Sequence, residues 1–236
     1  MEPIKWRVLT TDYDIDGDSG SETGCLLLAE DILTANVPYY VSTSSRTIGE
    51  ATVYANNYKY STIRAYLNGF YESDDTQTQT YINKGFLQTA FTASAQGLIA
   101  TTTVDNSGES TTDATGSLTK ADGTNSNYPT DYTCANTSDK IFLLSEKEVT
   151  TTDYGFASYS SYGTGNSRIR VTTDYAKANY AYQSTTAGYG GWWWLRSPLY
   201  NDSSCARDVF HNGNASDYDY VYDTDYGVVP ALSISF

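Results

Sequence analysis

The sequence predicts an α+β fold of mixed or antiparallel sheets, with its two terminal strands paired, a few short helices and long loops. Three observations carry this prediction. Apolar and polar residues alternate at both chain ends, the period of half-buried strands. Helical spacing recurs only in short stretches between them, with capping residues in place. The connecting segments are long and rich in Gly, Ser, Thr, Asn and Asp. With 236 residues the chain reads as one domain, 1–236.

In "EPIKWRVLT", Ile4, Trp6 and Val8 alternate with Lys5 and Arg7, so this strand should pair with "GCLLLAEDIL" across an acidic turn. That turn, "DYDIDGDSGSET", places Asp12, Asp14, Asp16 and Asp18 around Gly17. This matches the front half of a calcium loop, where alternate carboxylates converge on one hard cation. The twelfth position is Thr23 and strands flank the turn, so a solvated acidic hairpin is the competing reading. Next, "YSTIRAYLNGFY" offers Ser61 as N-cap, with Ile63, Tyr66, Leu67 and Phe70 at helical spacing and Gly69 near the end. "GFLQTAFTASAQGLIATTTV" reads as a helical turn or two running into a strand, with Phe86, Leu87, Ala90 and Phe91 inward. Residues 106–138 carry few aliphatics and read as a long surface loop inserted in the domain.

"KIFLLSEKEV" is a buried strand followed by Ser145 and Glu148 at capping-box spacing. "RIRVTTDYAKANYAY" gives a strand-like alternation and then a short helix capped by Thr172 or Thr173. The closing "GVVPALSISF" sets Val228, Pro230, Leu232, Ile234 and Phe236 on one face. In "GGWWWLRSP", Trp192, Trp194 and Arg196 share one side of a strand and Trp193, Leu195 and Ser197 the other, and at least one side must be core.

Composition excludes several classes of function. A net charge of -14 speaks against nucleic-acid and anionic-membrane binding, since gripping phosphates needs a basic face. No segment approaches the roughly 18 apolar residues of a spanning helix, so no membrane insertion is expected, and the N-terminus lacks the apolar run of a signal peptide. Three cysteines, Cys25, Cys134 and Cys205, admit one bridge with a spare thiol but no zinc spacing. The one histidine, His211, would have to serve any Ser/His/Asp or Cys/His arrangement, and it lies in a tail better read as surface. No carboxylate pair stands out as a glycosidase acid and base. The expectation is a non-enzyme without a cofactor, calcium at the acidic hairpin aside.

The tail, "LYNDSSCARDVFHNGNASDYDYVYDTDY", has the composition of a paratope. Tyr supplies rigid contact area at low entropy cost, while Ser, Asn and Asp supply adaptable hydrogen bonds. Ala206, Val209, Gly213 and Val221 read as framework. The candidate ligand-binding residues are Tyr200, Asn201, Asp202, Ser203, Ser204, Arg207, Phe210, His211, Asn214, Asp217, Tyr218, Asp219, Tyr220, Tyr222 and Asp223. In "DYDYVYDTDYG" the tyrosines and the acids fall on opposite sides. Either the tyrosines pack on the body and the acids are solvated, the safer reading for some of the rings, or the tyrosines line a ligand groove; at least one or two should be exposed, where a cluster marks a binding site. From Leu199 to Val228 there is no Lys, Glu, Gln, Met or Trp. Asparagine codons ending in a pyrimidine and randomised at their first two positions could produce this pattern, and so could an ordinary Tyr/Asp/Asn-rich surface.

The motifs "EPIKWRVL", "YSTIRAYLNGFY", "GFLQTAF", "KIFLLSEKEV", "TDYAKA", "WWWLRSP" and "GVVPAL" together resemble the bacterial and phage family DUF6273 over nearly the whole chain. Leu199 stands where that family commonly has glycine, and Val229 where it has arginine. The family is similar to the C-type-lectin-like fold of formylglycine-generating enzymes, which also carries the variable proteins of diversity-generating retroelements. The resemblance implies paired terminal strands and a variable ligand-binding region at 199–226. It also implies a protein or glycan as partner, and display on a bacterial surface or phage virion with the anchor outside this chain. The alternatives it leaves open are an oxidase of the formylglycine-generating type and a structural domain of a larger surface protein.

Overall fold

The structure, a computed structural model, describes residues 3–18, 20, 22–69, 81–116, 118–121, 123 and 132–235. It is a mixed α+β fold in which every pairing between named strands is antiparallel. The strands are β1 (Trp6–Asp14), β2 (Thr23–Ala29), β3 (Arg46–Ile48), β4 (Ala51–Val53), β5 (Thr102–Val104), β6 (Thr137–Asp139), β7 (Ile141–Phe142), β8 (Trp193–Pro198), β9 (Cys205–Val209), β10 (Asp217–Tyr220) and β11 (Ala231–Ser235). Five short helices join them: α1 (Thr62–Asn68), α2 (Phe86–Ala90), α3 (Ala93–Leu98), α4 (Glu146–Val149) and α5 (Asp174–Ala178). Among the described residues no helix is long and apolar enough to cross a membrane.

One sheet has the order β1-β2-β11-β7 and a second the order β10-β9-β8, with β3-β4 and β5-β6 as separate pairs. The terminal strands therefore share a sheet but are not paired with each other, because β2 stands between them. Leu26, Leu28 and Ala29 of β2 are fully buried, which suits an interior strand bonded on both edges. β1 carries Arg, Thr and Asp and shifts register twice, the marks of an edge. The first shift, between Val8 and Thr10, turns Leu9 into the core and leaves Val8 exposed, opposite to a simple alternation. A bulge resets which side chains face inward.

The capping signals act as expected. The Ser61 hydroxyl accepts from Arg64 N, and Gly69 closes α1 in the left-handed region. Ser145 and Glu148 form a complete capping box on α4. Thr173, rather than Thr172, caps α5. The strand expected before α5 does not form. Only Thr172 makes a bridge, to Ile32, because Arg168 and Arg170 turn inward and are buried. Segment 106–138 is also not simply a surface loop. Ser110, Thr111, Thr112 and Asp113 are buried, their needs met locally: Thr111 Oγ1 donates to Gly108 O and accepts from Ala121 N. Asp113 takes Thr115 N and Leu118 N. Residues 124–131 of that segment, Phe70 of the expected helix and Phe236 of the closing strand lie outside the described residues.

β8 is buried along its whole length. Trp193 and Leu195 enter one core with Phe142, Val209 and Val229. Trp194 enters a second with Tyr39, Ala206 and Val228. Both sides of the Trp-Leu-Arg-Ser-Pro strand are thus core, and β8 is the partition between them. The glycines before it permit close backbone packing: a Cβ on Gly190 would lie 2.0 Å from Arg170 O, and one on Gly191 2.4 Å from Tyr182 O.

Candidate functional site

The tail is held from below by side chains outside it. Asn56 is fully buried, and its Nδ2 donates to Leu199 O, Asp202 O and Cys205 O. Its backbone N–H donates to Ser203 O. One asparagine thus clamps the loop between β8 and β9. Arg168 spends its guanidinium on carbonyls, donating to Gly213 O of the tail and to Val149, Ala157, Ser158 and Ser161 O. Replacing Asn56 by Ala should cost about 1–3 kcal/mol, since the Leu199, Asp202 and Cys205 carbonyls lose the one amide that ties them together. Hydrogen exchange should then quicken at 199–205 before the rest of the sheet, and unchanged protection there would contradict the clamp.

On this base, β9 is buried throughout, while β10 alternates between half-buried and exposed. The framework residues Ala206, Val209, Gly213 and Val221 are all buried. Tyr218, Tyr220 and Tyr222 are 51%, 47% and 47% exposed, and the Tyr220 and Tyr222 rings stack at 5.4 Å. All three tyrosines therefore point outward, where at least one or two exposed rings are expected, and the acids turn toward the body rather than to solvent. The reason is a bonding preference. Asp219 accepts the Tyr226 hydroxyl at 2.7 Å. Asp217 and Asp219 also take the backbone N–H of Tyr218 and Tyr220. Those N–H groups lie on a sheet edge, so the Asp-Tyr repeat blunts the edge against strand addition and leaves recognition to side chains.

The other candidates divide. Arg207 is a correction: it is buried and donates to Ser216 O at 2.9 Å, because its place on β9 faces the interior. Asn201 is exposed, and Tyr200, Asp202, Ser203, Ser204 and Asn214 are half-buried. Asp202 and Asn214 are committed to turns, taking Ser204 N and Ser216 N. Phe210 and His211 join an aromatic group that the sequence reading missed. Trp192 stacks on Tyr182 at 3.9 Å, Phe210 at 5.7 Å and Tyr226 at 5.3 Å. Its Nε1–H donates to His211 Nδ1 at 3.0 Å, and burial lowers the His211 pKa against the pull of Asp217. The single histidine is thus a neutral acceptor inside an aromatic stack. The run of three tryptophans is the signal for this group, but nothing local in the sequence shows that the chain folds Tyr182 onto Trp192 and Tyr189 against His211.

At the β1–β2 turn, oxygens of Asp14, Asp16 and Asp18 lie within 4.8 Å of one another, and Gly17 has φ 77°. Asp12 is exposed on β1 and is not one of the three. Such a set suits one hard cation, although acidic turns also form without one. All three cysteines are free, so no bridge forms. Cys134 lines a small cavity with Tyr58, Tyr132 and Arg196, which Cys205 does not reach. Burial pushes the two thiols up to about 11 and about 12, with Asp202 adding to the effect at Cys205.

Residues 22–236 match the protein family described as a domain of unknown function, DUF6273. The chain belongs to the DUF6273 family. No curated protein and no solved structure matches it. The match takes in both anchors of the tail, so the buried β8 strand, the Asn56 clamp and the closing β11 strand all belong to the DUF6273 domain of this chain.

Proposed function

We propose that this DUF6273 domain is a non-enzymatic binding module that takes a protein or glycan ligand through the surface of residues 199–226. The observation that carries the reading is the separation of roles within that segment. Leu199, Ala206, Val209, Val221 and Tyr226 are buried, while Tyr218, Tyr220 and Tyr222 stand out together. Rigid, amphipathic rings grouped on an anchored frame are the usual energetic centre of an interface. Side chains so placed can be exchanged without moving the backbone, which fits a variable protein of a diversity-generating retroelement on a C-type-lectin-like fold. Display on a bacterial surface or a virion belongs to the same reading. An oxidase would need a reactive thiol, and the Cys134 and Cys205 thiols are held protonated at neutral pH, which favours the binding role.

The test joins fold and binding. Tyr218→Ser, Tyr220→Ser and Tyr222→Ser together should change stability little, because exposed substitutions are typically worth about 0.5 kcal/mol or less each. Ligands selected against the full chain from a random peptide library or a glycan array should lose at least about tenfold in affinity, roughly 1.4 kcal/mol. Ligands that bind the triple variant as well as the parent would sink the proposal. For the retroelement, the decisive observation is a neighbouring reverse-transcriptase gene with a near-copy of the tail-coding DNA that differs only at adenines.

A further inference from the structure

Segment 155–167 folds over three arginines. Arg168 is fully buried and donates to the carbonyls of Ala157, Ser158 and Ser161 in this segment and of Val149 and Gly213 outside it. Arg170, 1% exposed, donates through NH1 to Ser167 O, and Arg7 NH1 donates to the same oxygen. Arg7 has its counter-ion in Glu30. The two buried guanidiniums have none: among the described residues neither Arg168 nor Arg170 makes an ion pair. Glu146, the acid that acts on Arg168, is pushed by burial up to about 8 and keeps its proton at neutral pH. Glu30 and Asp31 act on Arg170 without bonding it, and its Nε and NH2 find no acceptor among the described residues.

This unbalanced charge is carried outward by the backbone. A planar trans peptide points its N–H opposite to its C=O, so carbonyls gathered on Arg168 turn their amides the other way. Ser161 O faces the guanidinium, and the N–H of Tyr162 therefore faces away from it. The N–H groups of Tyr162, Thr164 and Gly165 make no hydrogen bond among the described residues. These three residues border an open cavity of about 370 Å³, lined also by Phe156, Ser161 and Asn166. Among the described residues no acidic or basic side chain lines it, although the chain has 28 acids against 14 bases. Its walls are pinned: Gly163 N donates to Asn212 O, Ala157 N to Ser167 Oγ and Asn166 Nδ2 to Ser161 O. A ligand entering there meets donors already in place.

Outward amides above uncompensated positive charge suit an oxyanion. A carboxylate fits better than a phosphate dianion, because no side-chain cation enters the cavity to meet a second charge. The space is that of a small-molecule pocket rather than of a bare ion. The Tyr162 ring, on a residue 68% exposed, offers its face to C–H groups, and the Ser161 and Thr164 hydroxyls can bond those of a sugar. We propose that this cavity is a second binding site, outside residues 199–226, for a carboxylate-bearing sugar. The carboxylate accepts from the Tyr162, Thr164 and Gly165 amides, and the sugar ring lies against the Tyr162 side chain. The inference goes beyond the tyrosine surface of the tail and does not depend on it.

The probe is glucuronate, titrated into the isotope-labelled full chain at an ionic strength of about 0.15 M and followed by the amide signals of Tyr162, Thr164 and Gly165. These signals should shift and saturate, and neutral glucuronamide should bind at least about tenfold more weakly, because its hydrogen bonds lack the charge. Thr164 is exposed, so substitution there spares the fold. Thr164→Asp should weaken glucuronate by at least about tenfold through like-charge repulsion, while the neutral Thr164→Asn should bind it like the parent. N-acetylglycine, a carboxylate without the sugar ring, should bind more weakly than glucuronate. The triple Tyr218, Tyr220 and Tyr222 to Ser variant should bind glucuronate unchanged. Unmoved amide signals, equal binding of glucuronamide, or equal effects of the two Thr164 variants would overturn the site. N-acetylglycine binding as tightly as glucuronate would overturn its preference for a sugar, and loss of glucuronate binding in the tyrosine variant would place the ligand on the tail instead. Failure here leaves the tyrosine surface to be judged by the ligands selected against it.

Discussion

Arg196→Ala should destabilise the protein by about 3–5 kcal/mol, the usual cost of removing one partner of a buried ion pair. The arginine is 2% exposed and pairs with Glu148. It also donates to Leu143 O at 2.8 Å and, through Nε and NH2, to Asp105 O. Glu148 in turn accepts Tyr13 OH at 3.0 Å and Ser145 N at 2.7 Å. One guanidinium thereby ties β8 to α4, to the segment after β5 and, through Glu148, to β1. Its removal leaves the Glu148 carboxylate without its counter-charge and takes a donor from the Leu143 and Asp105 carbonyls. With total stabilities of about 5–15 kcal/mol for native domains, the variant should lose a large share of its stability. Urea unfolding checks the loss, and Arg196→Lys should recover only part of it, since an ammonium cannot span the same acceptors. A loss below about 1 kcal/mol would show that the pair is dispensable.

The second large effect is one of pH. Glu146 is fully buried with neither carboxyl oxygen hydrogen-bonded among the described residues. Burial pushes its carboxyl up to about 8, against the pull of Arg207 and Arg168. The folded protein thus keeps a proton that the unfolded chain has released. Between the unfolded value of about 4.3 and the folded one near 8, stability should fall as pH rises, by about 1.4 kcal/mol per pH unit for this group. Asp208, Asp217 and Asp223 are raised as well and act with the same sign. Thermal melts should therefore show greater stability at pH 5 than at pH 8, with about 2–4 °C for each kcal/mol. Glu146→Gln, neutral and of the same shape, should flatten that slope and raise the melting temperature at pH 8. An unchanged slope would mean that Glu146 is ionised in the folded state.

Both effects arise at residues whose importance the sequence could not show. Arg196 sits visibly in its motif, but in the sequence the capping box alone accounts for its partner Glu148. That one carboxylate closes the box and holds the arginine, and only proximity in space joins the two roles. Glu146 looked like an ordinary first-turn acid of a helix, and nothing local marks it as buried. Segment 106–138 reads outward because its side chains are polar. It is partly buried because those side chains bond one another and the backbone, a compensation that composition does not reveal.

What the sequence determined by itself is what short-range physics governs: the β1–β2 hairpin, the Ser61 and Ser145 caps, and the inward set Ala206, Val209, Gly213 and Val221. Periodicity and capping act within a few residues and leave a direct trace. Tertiary structure decided the rest. It placed β2 between the terminal strands, made both faces of β8 core, and reached through Asn56 to hold a loop about 145 residues away. It also turned the tail's acids inward and its tyrosines outward, because Tyr226 and the edge N–H groups of β10 offered Asp219 and Asp217 their partners. An alternating strand states that its two sides differ, and only the surface packed beneath it selects which side faces out.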